Sequence, residues 1–78
     1  MTLKIISAEE IIFTGDVESV TLPGMLGSFT VLNNHASLVS TLTAGDIVYT
    51  DASDKQESRH IDGGIADIDN NVVSVCIY

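Results

Sequence analysis

What constrains this chain most is how closely its turn formers are spaced. Pro23-Gly24, Gly27, Asn33-Asn34, Thr43-Ala44-Gly45-Asp46, Asp51-Ala52-Ser53-Asp54-Lys55, Asp62-Gly63-Gly64 and Asp69-Asn70-Asn71 leave only short runs between them. Proline presets φ, glycine and asparagine reach the left-handed region, and aspartate bonds its own backbone, so each cluster is a point where the chain reverses. The runs between them alternate apolar and polar residues with a period of two, the pattern of half-buried strands.

Read in order, Thr2 to Ile6 is a strand with Leu3 and Ile5 on one side. Ser7 with Glu10 three residues on has the form of a capping box, yet no helix of normal length fits before Gly15. Ile11 to Phe13 reads as a short strand, with Thr14-Gly15-Asp16 as the turn after it. Val17 to Leu22 follows, with Val20 and Leu22 inward. Pro23-Gly24 suits a type II turn with the positive φ at Gly24, and the Pro23 to Gly27 segment either exposes Met25 and Leu26 at its tip, as an interaction surface, or folds them back onto the sandwich. Ser28 to Leu32 sets Phe29 and Val31 against Thr30 and Leu32, and Leu38 to Leu42 sets Leu38, Ser40 and Leu42 against Val39 and Thr41. Ile47 to Thr50 and Glu57 to Ile61 should close a hairpin over the polar loop between them. The glycine pair Gly63-Gly64 marks a bend, a bulge or a close backbone approach. Ile65 to Ile68 and Val72 to Tyr78 complete the set, joined by a tight Asp-Asn-Asn turn.

The expected fold is therefore all-β, with roughly nine or ten short strands in two antiparallel sheets packed face to face, or in a flattened barrel. At 78 residues the chain is one domain, 1–78, with a core small enough that docking to a partner would add useful stability. Eleven acidic residues against three basic ones give a net charge of −8, which repels phosphate backbones and anionic lipid and favours a basic protein surface as partner. No apolar run is long enough to cross a membrane as a helix.

Reactive chemistry finds little support. His35, His60 and Cys76 do not make a zinc-ligand spacing. Cys76 lies in an apolar run and reads as a buried, inert thiol without a basic neighbour. Asp51, Asp54, Glu57, Asp67 and Asp69 read as solvated loop charge, and Gly24, Gly27, Gly63 and Gly64 as turn and bend glycines outside any phosphate-binding pattern. No catalytic, metal or cofactor residue is expected, so the function should lie in surface contacts.

Three motifs carry a resemblance. Ser7-Ala8-Glu9 is followed by Phe13-Thr14-Gly15; the Gly24 to Leu32 run is followed by His35-Ala36-Ser37-Leu38; and Ile61-Asp62-Gly63-Gly64 precedes Asn71-Val72-Val73-Ser74-Val75. Together they resemble the ε subunit of F-type ATP synthases over about Leu3 to Ile77. Asn33-Asn34 and Ser37 stand where that family has Pro-Gly and a second proline.

The resemblance implies the family's N-terminal β-sandwich and a non-enzymatic place in the rotor stalk. It implies one copy per complex, monomeric when isolated, with no cofactor and no membrane insertion of its own. The subunit would lie peripherally at the cytoplasmic face of the inner membrane. It would bind the γ subunit and the c-ring, coupling proton flow to ATP synthesis. The c-ring-facing loop maps onto Met25, Leu26, Gly27 and Ser28, and the γ-facing side onto Ser7, His35, Ala36 and Ser40. The family often carries an acid where Ser28 stands. Bacterial members continue into a two-helix domain that inhibits hydrolysis; this sequence stops at Tyr78, and the expectation is a subunit that couples without inhibiting. The rival expectation is a free-standing module for a peptide or sugar, with a groove drawn from Phe13, Phe29, Tyr49 and Tyr78.

Overall fold

The computed structural model describes residues 1–78. It has nine strands and no helix: β1 Thr2–Ile6, β2 Ile11–Asp16, β3 Ser19–Leu22, β4 Phe29–Leu32, β5 Leu38–Leu42, β6 Gly45–Thr50, β7 Gln56–Ile61, β8 Gly64–Asp69 and β9 Val72–Ile77. They form a five-stranded sheet in the order β2-β1-β9-β8-β5 and a four-stranded sheet in the order β4-β3-β6-β7. The two remain separate sheets, so the architecture is a sandwich and not a closed barrel. Period-two alternation places Leu3, Ile5, Val20, Leu22, Val31, Leu42, Ile47, Ile68, Val73 and Val75 in the shared interior, each almost wholly shielded from solvent.

Five sequence expectations are corrected. Every strand pair is antiparallel except β1 with β9, which run parallel from Thr2↔Val72 to Ile6↔Cys76. Thr14-Gly15-Asp16 is not a turn but the end of β2, paired to β1 through Leu3↔Gly15. The Phe13 ring lies over Gly15, and a Cβ there would stand 2.7 Å from the ring edge, so any larger residue would displace the ring. Gly45 likewise opens β6 opposite Ile61 instead of lying in a turn.

The type II turn is displaced. The Gly24 N–H donates back to the Leu22 carbonyl at 3.0 Å, a γ-type turn about Pro23. The four-residue turn runs from Gly24 to Gly27, closed by the Gly27 N–H on the Gly24 carbonyl at 3.0 Å, and it is Gly27 that takes the positive φ of 131°. Finally, Cys76 is exposed. It follows Val75 on β9, and the alternation that buries Val73 and Val75 turns Cys76 to the outer face of the five-stranded sheet.

The local signals that held do so for stated reasons. Asn70 and Asn71 both adopt positive φ (49° and 62°) between Asp69 and its partner Val72, a two-residue type I′ hairpin. In the β6–β7 loop the Asp51 carboxylate accepts the N–H groups of Ser53 and Lys55 at 2.9 and 3.0 Å. Ser7 Oγ accepts the Glu10 N–H at 3.3 Å, so the capping-box chemistry closes the β1–β2 loop instead of opening a helix.

Asn71 also reaches across the fold, its Oδ1 accepting the Asn34 N–H at 2.8 Å and tying the two asparagine turns together. Asn71→Gly keeps the positive φ and loses only this tie, at about 1 kcal/mol. Asn71→Ala loses both and should cost about 2 kcal/mol in chemical denaturation. Equal midpoints for the two variants would show that the turn geometry is not at work.

Candidate functional site

Between Glu18 and Asp46 the chain holds no Asp, Glu, Lys or Arg, although its net charge is −8. This charge-free third of the chain comprises β3, β4, β5 and the loops between them, and it contains Met25, Leu26, Leu32, Leu38 and Val39, five of the exposed large apolar side chains. The sequence displays this segregation plainly, and a charge-by-position reading would have singled it out.

The fold gathers most of these residues around one groove of about 660 Å³, lined by Gly24, Met25, Leu26, Gly27, Ser28 and Phe29 on one side and by Leu38, Val39, Ser40 and Thr41 of β5 on the other. Two ladder-like bonds hold the walls in place. The Met25 N–H donates to the Thr41 carbonyl and the Thr43 N–H to the Pro23 carbonyl, both at 2.9 Å, and Gly24 bridges Leu42. Gly24 permits this close approach, since a Cβ there would stand 2.6 Å from the Gly27 carbonyl oxygen and 2.9 Å from the Phe29 ring. With its base clamped, the loop presents Leu26 fully exposed at 104% and Met25 at 63%. Water-exposed apolar side chains held on a fixed backbone are the mark of a contact surface.

The loop tip and Ser40, expected to face different neighbours, thus line the same groove. The other residues expected to face γ are not brought to it. Ser7 stands at the same end of the sandwich as the loop, by the register Ile6↔Cys76, Gly64↔Ile77 and Leu42↔Gly64, and borders a shallow cleft of about 290 Å³ with Ala8, Glu9 and Tyr78. His35 and Ala36 stand at the opposite end, after the Asn33-Asn34 turn, where His35 Nδ1 lies 2.7 Å from the Ala36 carbonyl oxygen.

The aromatic residues do not converge either. Phe13 packs on Tyr49 with ring centroids 4.7 Å apart, Phe29 lines the groove, and Tyr78 borders the cleft. His60 lies on β7 with Nδ1 2.9 Å from Asp46 Oδ1 and Nε2 3.9 Å from Asp62 Oδ1, an exposed pair that is ionic when the ring is protonated.

Comparison with known proteins agrees with this architecture. Residues 1–77 match the family model described as ATP synthase, Delta/Epsilon chain, beta-sandwich domain. The ATP synthase epsilon chain of Campylobacter concisus is 45% identical over 73 residues, covering 94% of this chain and 57% of that one. That of Leptospira borgpetersenii is 35% identical over 75 residues, covering 96% and 58%. That of Nitratiruptor is 40% identical over 77 residues, covering 99% and 60%. The chain therefore spans less than two thirds of the length of these curated relatives.

Among solved structures, a chain of the Euglena gracilis mitochondrial ATP synthase (OSCP/F1/c-ring) superposes with a TM-score of 0.90 at 25% identity, covering 96% of this chain and 48% of that one. A chain of the Tetrahymena thermophila central stalk and c-ring shares the fold, with a TM-score of 0.80 at 10% identity over 97% of this chain and 61% of its own. With nearly every residue inside the matched region and a solved ATP synthase chain superposing at a TM-score of 0.90, the chain belongs to the β-sandwich family of ATP synthase delta and epsilon chains.

Proposed function

We propose that this domain, 1–78, is a coupling piece of the ATP synthase rotor that binds the γ subunit and the c-ring and has no reactive centre of its own. The observation that carries the reading is the clamped, charge-free loop with Met25 and Leu26 exposed at its tip, in a chain whose relatives are epsilon chains. Met25, Leu26, Gly27 and Ser28 face the ring. With Ser28 in place of an acid, this contact is made by apolar burial and hydrogen bonding, while the acidic residues outside the loop add only a longer-range attraction within a Debye length of about 8 Å. Ser40, on β5 across the groove, faces γ, with Ser7 at the same end of the sandwich and His35 and Ala36 at the far end.

A sandwich suits this work because a close-packed interior between two sheets transmits torque with little deformation. One copy serves each complex, held peripherally through its protein partners. The charge of −8 selects basic protein surfaces over anionic lipid.

The experiment is reconstitution. Added to an ATP synthase stripped of its epsilon chain, these 78 residues are expected to co-purify with γ and restore proton-driven ATP synthesis, without introducing ATP-sensitive inhibition of hydrolysis. Failure to co-purify with γ would end the rotor reading. Strong inhibition of hydrolysis that ATP relieves would end the coupling-only form of it.

A further inference from the structure

Strand β5 borders β8 on one side only. In an antiparallel strand successive residues direct their N–H and C=O groups to opposite edges. The Thr41 carbonyl takes the Met25 N–H at 2.9 Å on the side away from β8, so Thr41 and Val39 present their backbone groups to that side. Met25 satisfies the Thr41 carbonyl. The N–H of Thr41 and both backbone groups of Val39 then face the groove with no neighbouring strand to pair them.

Around them the side chains divide into two rows. Val39, 67% exposed, and Thr41 stand on the outer face beside Asp67 and Ile65, their partners on β8. Leu38 and Ser40 point toward Phe29 and the loop.

We propose that an extended segment of a neighbouring rotor chain adds to β5 in this groove as a further strand. The inference deepens the rotor reading above and rests on it. Backbone chemistry selects the occupant. A partner that covered Val39 and Thr41 with side chains or with a helix would strand three backbone groups away from water, because a helix already uses its own N–H and C=O groups internally. An extended backbone supplies the missing donors and acceptors and continues the ladder that Met25 begins. The walls define the side chains: small or apolar residues at alternate positions, to pack on Leu38 and Phe29. The groove itself carries no charge, and Asp67, two strand spacings (about 10 Å) from the added strand, is within reach only of a long lysine or arginine extended over Val39.

The test follows amide exchange residue by residue, in the free chain and in the chain assembled with γ and the c-ring. On assembly the Val39 and Thr41 amides are expected to slow by about 100-fold or more, while the edge strand β7 is unaffected. Val39→Pro removes an N–H that no strand of this chain uses, which an edge strand tolerates, and should weaken assembly by about 10-fold or more with the free chain still folded by circular dichroism. Val39→Thr keeps the N–H and should assemble like the native chain. Should Val39→Pro fail to fold, the exchange measurement on the native chain decides alone.

Unchanged Val39 and Thr41 amides in an assembled chain would overturn the inference and leave the rotor reading intact. Protection of those amides that rises with concentration in the free chain would overturn it in favour of a second copy as occupant. A chain that does not assemble at all would overturn the rotor reading and this inference together.

Discussion

Gly64→Ala is expected to abolish the native fold at physiological temperature. Gly64 opens β8 and is paired on both flanks, with Leu42 of β5 and Ile77 of β9. A Cβ there would fall on the Cys76 carbonyl oxygen, with the Cys76 carbonyl carbon and the Ile77 Cα each 3.1 Å away. All three are backbone atoms, so no rotamer change makes room and the sheet itself must part between β8 and β9. Overpacking against a backbone lies at the severe end of single substitutions, about 3 kcal/mol or more. For a domain of this size that is a fall in melting temperature of about 12–24 °C, a large share of a small domain's total stability.

Gly27→Ala supplies the contrast. A Cβ at Gly27 meets nothing within 4 Å, and the cost is confined to holding alanine at a φ of 131°. That strain is about 1–3 kcal/mol. Thermal melts of the two variants separate steric exclusion by the sheet from backbone strain in a loop. A Gly64→Ala protein that melts within a few degrees of the native chain would refute the tight β8–β9 approach.

The paired substitution Met25→Ser with Leu26→Ser should do the reverse, leaving the fold intact and removing the function. Neither side chain belongs to the core, and both project from the clamped loop into solvent. Exposed substitutions of this kind stay within about 0.5 kcal/mol of native stability. In a rotor contact, burying a large apolar side chain is worth about 1.5–3 kcal/mol. Losing two is expected to weaken assembly by about 10- to 100-fold, even if only half of each side chain is covered. Because the loop carries no charge, the affinity lost should be nearly independent of ionic strength. Native affinity in the double variant would show that the ring does not contact the tip. A stability loss comparable to that of a core substitution would show that the tip folds back onto the sandwich.

Most of the sandwich was legible along the chain because its determinants are local. The alternation that puts Leu3 and Ile5, Val20 and Leu22, and Phe29 and Val31 on inward faces needs only a strand's period of two, and the structure buries or half-buries each of them. Asn70-Asn71 announces a hairpin because two consecutive positive φ values are a property of those residues themselves. Exposure of Met25 and Leu26 follows from the turn that carries them. Most residues that identify the family are of the same kind, since Ser7, Gly24 and Gly63 each meet a local backbone need, whereas Gly64 answers to the backbone of β9.

What the sequence did not reveal depends on residues far apart in it. Thr14-Gly15-Asp16 looks like a turn until β1 pairs with it and the Phe13 ring covers Gly15. Cys76 looks buried in an apolar run until its place on an outer face is known, and that depends on which side of β9 meets the opposite sheet. The positive φ expected at Gly24 moved to Gly27 because Gly24 is drawn against Leu42, eighteen positions on.

By itself, then, the sequence determined a strand-rich chain with its turns, its inward faces and its family, because each is written in neighbouring residues. Only the tertiary structure decided the parallel β1–β9 pair, the open edge of β5 and the groove that unites Ser40 with the Met25–Ser28 loop. Which strands become neighbours is settled by how two sheets bury their apolar faces against each other, and no short window of residues contains that information.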